Sequence, residues 1–260
     1  VRPPLWRYYS TQVVSLLVLT PLSIVGIRGS ATAGTRPITI SNANQYVNRP
    51  VEATVVLNTP FSIIRSIGKK AFVTPDYMSR DEMERTFQPI VNPVADSLAT
   101  PGKNVVILIV ESMGKEYIGS LNPDLEGGPG NYKGYMPFID SLVCQSVTYE
   151  YSYANGRISM DAMPSILTSL PMMVESIFLT PASLNDKDGI SSILDREGYT
   201  TAFFHGGHNI SMGFSAYAHS IGYQHYYGLD EYCQSPKYGG MDDFDGKWAI
   251  WDEPFLQFML

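Results

Sequence analysis

Residues 104–114 read NVVILIVESMG. Six apolar residues follow Asn104, rich in β-branched types. A run of this length and kind predicts a strand buried on both faces, as in a parallel sheet covered by helices. It stops at Glu111, and SMGKEYIGSLN (112–122) reads as the start of a helix. The same order recurs further along. DGISSILDREGY (188–199) predicts a helix closed by Gly198, and TTAFFHGGH (200–208) predicts a strand running into a glycine turn. The expected architecture is an α/β sheet with helices on both sides. Such sheets bind ligands beyond the carboxyl ends of their strands, where Glu111 and His205 both fall.

Between these segments lies NGRISMDAMPSILTSLP (155–171). Met163, Ile166, Leu167 and Leu170 have helical spacing. Proline is accommodated in a first turn, so Pro164 predicts a helix beginning near Asp161 or Ala162. Ser159 then has two readings. It is an ordinary residue of a helix start, where Ser and Asp cap. Or it is a nucleophile facing a phosphate or sulfate held by the helix N-terminus, activated by a metal or a base. Arg157 is a phosphate contact by charge and position, or else a surface arginine.

Glu111 is a candidate metal ligand, with capping of the next helix as its competitor. Carboxylate, hydroxyl and imidazole together suit a divalent ion such as Mn²⁺, Mg²⁺ or Zn²⁺. His205 lies between a strand and two glycines that permit close backbone approach to a ligand; a satisfied strand-end histidine is the alternative. His219 and His225 read as structural. Tyr223, Tyr226 and Tyr227 read as packing.

The 260 residues are 44% hydrophobic and 17% charged, enough apolar material for a substantial core. A net charge of −7 and the absence of a basic run argue against nucleic-acid binding. Cys144 and Cys233 fit no metal-ligand spacing and are open between free thiols and one disulfide.

YYSTQVVSLLVLTPLSIVGI (8–27) carries no charge and is bracketed by Arg7 and Arg28. It divides between a membrane segment and a buried or interfacial one. Arg2 and Arg7 upstream place the remainder outside the cytoplasm in the first case. Residues 1–27 are thus taken as the end of a transmembrane or interfacial segment. Residues 28–103 are taken as a linker with short helices, extended over 28–50 and broken at Pro60. Residues 104–260 are taken as the N-terminal part of a catalytic domain. The chain starts at Val1 and ends in the apolar pattern EPFLQFML without a terminator, which predicts a piece of a longer protein.

NVVILIVESMG (104–114), YMPFIDSLVCQSVTYEYSYANGRISMDAMPSILTSLP (135–171), GYTTAFFHGGHNISMGF (198–214) and FDGKWAIWDEPF (244–255) follow one another in an order that resembles the sulfatase / alkaline phosphatase superfamily. Within it they resemble the lipoteichoic acid synthase branch of phosphoglycerol transferases. The linker stretch GTRPITISNANQYV (34–47) is also similar to that branch. The resemblance implies a three-layer α/β/α sandwich with a mostly parallel central sheet, displayed outside the cell membrane. It implies one divalent metal ion, manganese first and magnesium, zinc or calcium otherwise, on Glu111 and Ser159. It puts Ser159 at the nucleophile's position, usually threonine in this branch, and His205 on the substrate-binding rim. The implied reaction is ping-pong. The nucleophile attacks the phosphodiester of a phospholipid donor, and an acceptor hydroxyl or water resolves the intermediate. A cell-envelope glycan is the alternative substrate.

There are departures. Sulfatases of the superfamily carry Pro two residues and Arg four residues after the nucleophile; this chain has Asp161 and Met163. The transferase branch grips its substrate with Trp and Arg after the His-Gly pair; this chain has Met212 and Phe214. The family's Asp-His metal pair has no counterpart among these 260 residues. Ester hydrolysis of the sulfatase or phosphatase type is therefore carried as an alternative. A non-catalytic membrane-tethered binding protein on the same fold is carried beside it.

Overall fold

The computed structural model describes residues 4–28, 31, 38–47, 50–68, 76–88, 102–125, 131–149, 151–173 and 175–260. The chain divides into two compact units, Val1–Lys70 with Ala154–Leu260, and Ala71–Tyr153.

The first unit begins with helix α1 (Leu5–Arg28), in which no residue is buried. At 1.5 Å per residue its 24 residues extend about 36 Å, against about 30 Å of bilayer hydrocarbon. It is long and apolar enough to cross a membrane. The short helices α2 (Ala53–Val56) and α3 (Thr59–Ser66) follow. Pro60 lies at the start of α3 behind the Asn58 cap, so it begins a helix where the sequence suggested a break.

The stretch 28–50, expected to be extended, contains a buried 3₁₀ segment. Residues Ile40–Tyr46 form it, with Ile40, Ser41, Ala43 and Asn44 buried. Hydrogen bonds offset the burial of so many small polar groups. Thr39 N–H donates to Asn42 Oδ1 at 2.8 Å, and Asn44 Nδ2 donates to the Ser183 carbonyl at 3.0 Å.

The second unit falls in the chain between the two parts of the first. Helix α4 (Arg80–Thr86) is fully exposed and capped by Ser79. Two 3₁₀ turns, Lys115–Tyr117 and Gly119–Leu121, stand where a helix start was expected. Helix α5 (Pro137–Val143) presents Asp140 to them, whose carboxylate accepts the Ser120 and Gly119 amides at 2.8 and 3.3 Å. Those bonds hold the carboxyl below its ordinary range.

Residues 105–110 correct the opening expectation. They join no ladder among the described residues, and Val106 and Leu108 are 67% and 63% exposed. A strand buried on both faces needs partners on both edges and layers above and below. The only ladder described is a two-stranded parallel sheet elsewhere.

That sheet belongs to the first unit. Strand β1 (Ala202–Phe204) pairs in parallel with β2 (His225–Tyr227), with Phe203 opposite Tyr226 and Phe204 opposite Tyr227. The aromatic rings of both pairs stack, at 5.6 and 4.8 Å. Around it lie α6 (Ser159–Thr168), α7 (Ile190–Arg196), α8 (Phe214–Ser220), α9 (Leu229–Gln234) and α10 (Asp252–Met259). Helix α7, strand β1 and the glycine turn at Gly198 fall where the sequence put them. The result is a mixed helix and strand fold with a small parallel sheet, compatible with an α/β domain.

Two hydrophobic clusters hold this unit. Met163, Leu167, Phe178, Phe214, Tyr217 and Ile221 form the larger. Leu229, Tyr232 and Ile250 form the smaller, with Phe255 and Phe258 of α10 against it. Cys144 and Cys233 are both free and exposed.

Candidate active site

Ser159 is the first residue of α6, half-buried, with Ile158 as the N-cap. The helix starts two residues earlier than Pro164 suggested. Pro164 sits in its second turn, where it removes the bond that its N–H would have made to Met160. Asp161 does not cap with its side chain. Its carboxylate is buried and accepts the Ser176 hydroxyl. The approach to the helix depends on Gly156, at φ +105°; a Cβ there would stand 2.5 Å from Asp161. Arg157 is exposed on this approach.

The far end of α6 is tied into the core. Thr168 Oγ1 meets the Tyr217 hydroxyl at 2.8 Å. Ser169 closes the helix in the left-handed region, at φ +54°.

His205 directly follows β1, and its N–H donates to Tyr227 at 3.0 Å, extending the ladder by one residue. Its ring stands perpendicular to Phe214 at 4.8 Å, and its Nδ1 lies 3.4 Å from the Tyr226 hydroxyl. Burial pushes its pKa down to about 4, so the imidazole is neutral at pH 7. The glycine after the next does a different job from the one read in the sequence. A Cβ on Gly207 would lie 2.8 Å from His205 Cε1, so the missing side chain makes room for the histidine's own ring.

The loop beyond is pinned from three sides. Ile250 N–H donates to Gly206 at 3.0 Å and Leu229 N–H to Gly207 at 3.1 Å. Asn209 Nδ2 donates to both oxygens of Glu231, at 3.0 and 2.8 Å. Met212 has a positive φ of +55°.

Ser159 and His205 therefore lie in one unit. Phe214 beside the histidine belongs to the larger cluster, and Met160 beside the serine packs against it. Glu111 is exposed and belongs to the other unit, immediately before Ser112 at φ +59°. Among the described residues, no three His, Cys, Asp or Glu side chains gather as they would around a metal ion. Glu111 and Ser159 fit a hard divalent ion in kind, as oxygen donors, but two donors fall short of the number such an ion takes.

Sequence reasoning missed two neighbours of His205. Phe214 was noted only as a departure, and Tyr226 was read as packing alone. The alternation of β2 was the available signal, since it puts Tyr226 and Phe203 in register beside the residue that follows β1.

Residues 103–260, more than half of the chain, match the family Sulfatase. The chain belongs to the sulfatase family, and so to the sulfatase / alkaline phosphatase superfamily of hydrolases and transferases. No solved structure matches the chain.

Proposed function

We propose that this protein is a membrane-anchored, extracytoplasmic phosphotransferase of the lipoteichoic acid synthase-like branch. It moves phosphoglycerol from a phosphatidylglycerol-type lipid through a covalent intermediate on Ser159. The observation that carries the reading is the family match across 103–260, which spans Glu111, Arg157, Ser159 and His205. Helix α1, apolar and flanked by Arg7 and Arg28, supports the anchor. The proposal includes the three-layer α/β/α sandwich as the architecture of the catalytic domain.

In this reading Ser159 Oγ attacks the phosphorus of the donor. A new Oγ–P bond forms, the bond from phosphorus to the diacylglycerol oxygen breaks, and that oxygen leaves with a proton. An acceptor hydroxyl or water then attacks the same phosphorus and frees Ser159. The start of α6 favours the negative charge of the phosphoryl group, and Arg157 pairs with its oxygens. His205, neutral at pH 7, hydrogen-bonds the substrate without adding a second positive charge. A divalent ion, manganese first, would lower the pKa of the serine hydroxyl when bound; Glu111 and Ser159 are the residues proposed to contribute to holding it.

The test uses the full-length protein with Mn²⁺ and a fluorescent phosphatidylglycerol, comparing wild type with Ser159→Ala. The expected result is diacylglycerol release and a phosphoglycerol mass adduct on Ser159, both lost in the variant, with turnover down by at least ~10³-fold. Release that persists in Ser159→Ala removes the serine from the mechanism. Turnover of simple sulfate or phosphate esters in place of the lipid would move the assignment to ester hydrolysis.

A further inference from the structure

The buried segment Ile40–Tyr46 touches the region around both candidate residues of its unit. On one side, the Ser41 hydroxyl lies 3.4 Å from where a Cβ on Gly213 would stand, and Phe178 lies 3.5 Å from the same point. Gly213 is at φ +74° and leads straight into Phe214, whose ring packs edge-on against His205. On the other side, Asn44 Nδ2 donates to the Ser183 carbonyl, which also accepts Lys187 Nζ at 2.9 Å. Lys187 lies over the Tyr217 ring, and the Tyr217 hydroxyl reaches Thr168 of α6, the helix that Ser159 begins.

Ser41 and Asn44 are each 1% exposed. Asn44 Oδ1 has no hydrogen-bond partner among the described residues, so this side chain is not there to satisfy itself. An apolar residue of similar volume would avoid that unpaired acceptor. What Asn44 supplies is the directed bond to Ser183, which fixes the segment's register on the core.

We propose that Asn44 is a positioning residue: through the strap Ile40–Tyr46 it holds the Gly213–Phe214 turn against His205. The strap thereby ties the chain that follows α1 to the candidate active site. The consequence is that the environment of His205 depends on a residue far outside the family-matched region. The strap acts through packing and hydrogen bonds alone, whatever reaction the site performs.

The experiment follows the four histidines by imidazole NMR in the full chain in detergent micelles, from pH 3.5 to 8. His205→Gln assigns the resonance. Tyr226, Phe214 and Gly207 surround the ring, and Asp230 and Glu231, the acids acting on Tyr226, are unchanged in every variant. In wild type, burial should hold the His205 midpoint down at about 4. In Asn44→Ala its midpoint should rise by at least ~1 unit toward the ordinary histidine value, because the loosened turn admits water. A folded Asn44→Ala in which His205 titrates as in wild type overturns the proposal. If Asn44→Ala does not fold, Ser41→Ala decides on the same readout, a raised midpoint supporting the strap and an unchanged one refuting it.

Discussion

Three residues that are not glycine adopt positive φ among the described ones: Ser112, Ser169 and Met212. Ser112 follows Glu111, Ser169 ends the helix that Ser159 begins, and Met212 lies in the loop that follows His205. Backbone strain of this kind costs on the order of 1–3 kcal/mol per residue and concentrates at working sites. Gly156 carries the same requirement by another route. Gly156→Ala should destabilise the first unit by roughly 2 kcal/mol or more, since it adds both a disallowed φ and a clash with Asp161; chemical denaturation checks this. His205 gives a pH dependence of definite sign. Its folded pKa, about 4, lies below the ordinary 6.5, so protons bind the unfolded chain more readily. The stability it contributes is complete above pH 6.5 and is lost as pH falls toward 4. The loss is on the order of 3 kcal/mol, and His205→Gln should flatten that part of the stability profile in urea titrations between these limits.

At the scale of elements, packing around Phe178 dominates. It is fully buried, between Phe214 at 6.1 Å and Tyr217 at 4.7 Å. Phe178→Ala should cost about 3–5 kcal/mol, measured by thermal or urea unfolding. Helix α7 was legible in the sequence because apolar spacing and a terminal glycine agree there. Gly198 does adopt a left-handed φ, +84°. Strand β2 was not legible, because YQHYYG offers aromatic rings without the run of β-branched residues that marked 105–110. The strap was misread for the opposite reason. Ser41 and Asn44 have no apolar period, and hydrogen bonds that no spacing reveals offset their burial. Residues 105–110 read clearly as a strand, yet pairing depends on partners that the run itself does not encode.

For the whole molecule, α1 sets the expected behaviour. Trp6, Tyr8 and Tyr9 at one end and Arg28 at the other are the side chains that sit at membrane interfaces. The chain should stay with membranes through alkaline carbonate extraction, and removal of residues 1–28 should release it; sedimentation followed by immunoblotting distinguishes the two. The family was legible from motif order. The wall of Phe214 and Tyr226 was not, because it is made by register between strands that lie twenty residues apart.

The uncovered run Val105–Val110 has a consequence for handling the protein. Six residues of high β-propensity without charge or proline are the size and type of a steric zipper. Wherever it stands exposed, a second molecule can lay the same six residues alongside it, amide to carbonyl. Colloidal stability would then hinge on one short peptide, and a single lysine at its centre, Leu108→Lys, should keep concentrated samples clear where the parent chain turns thioflavin-positive.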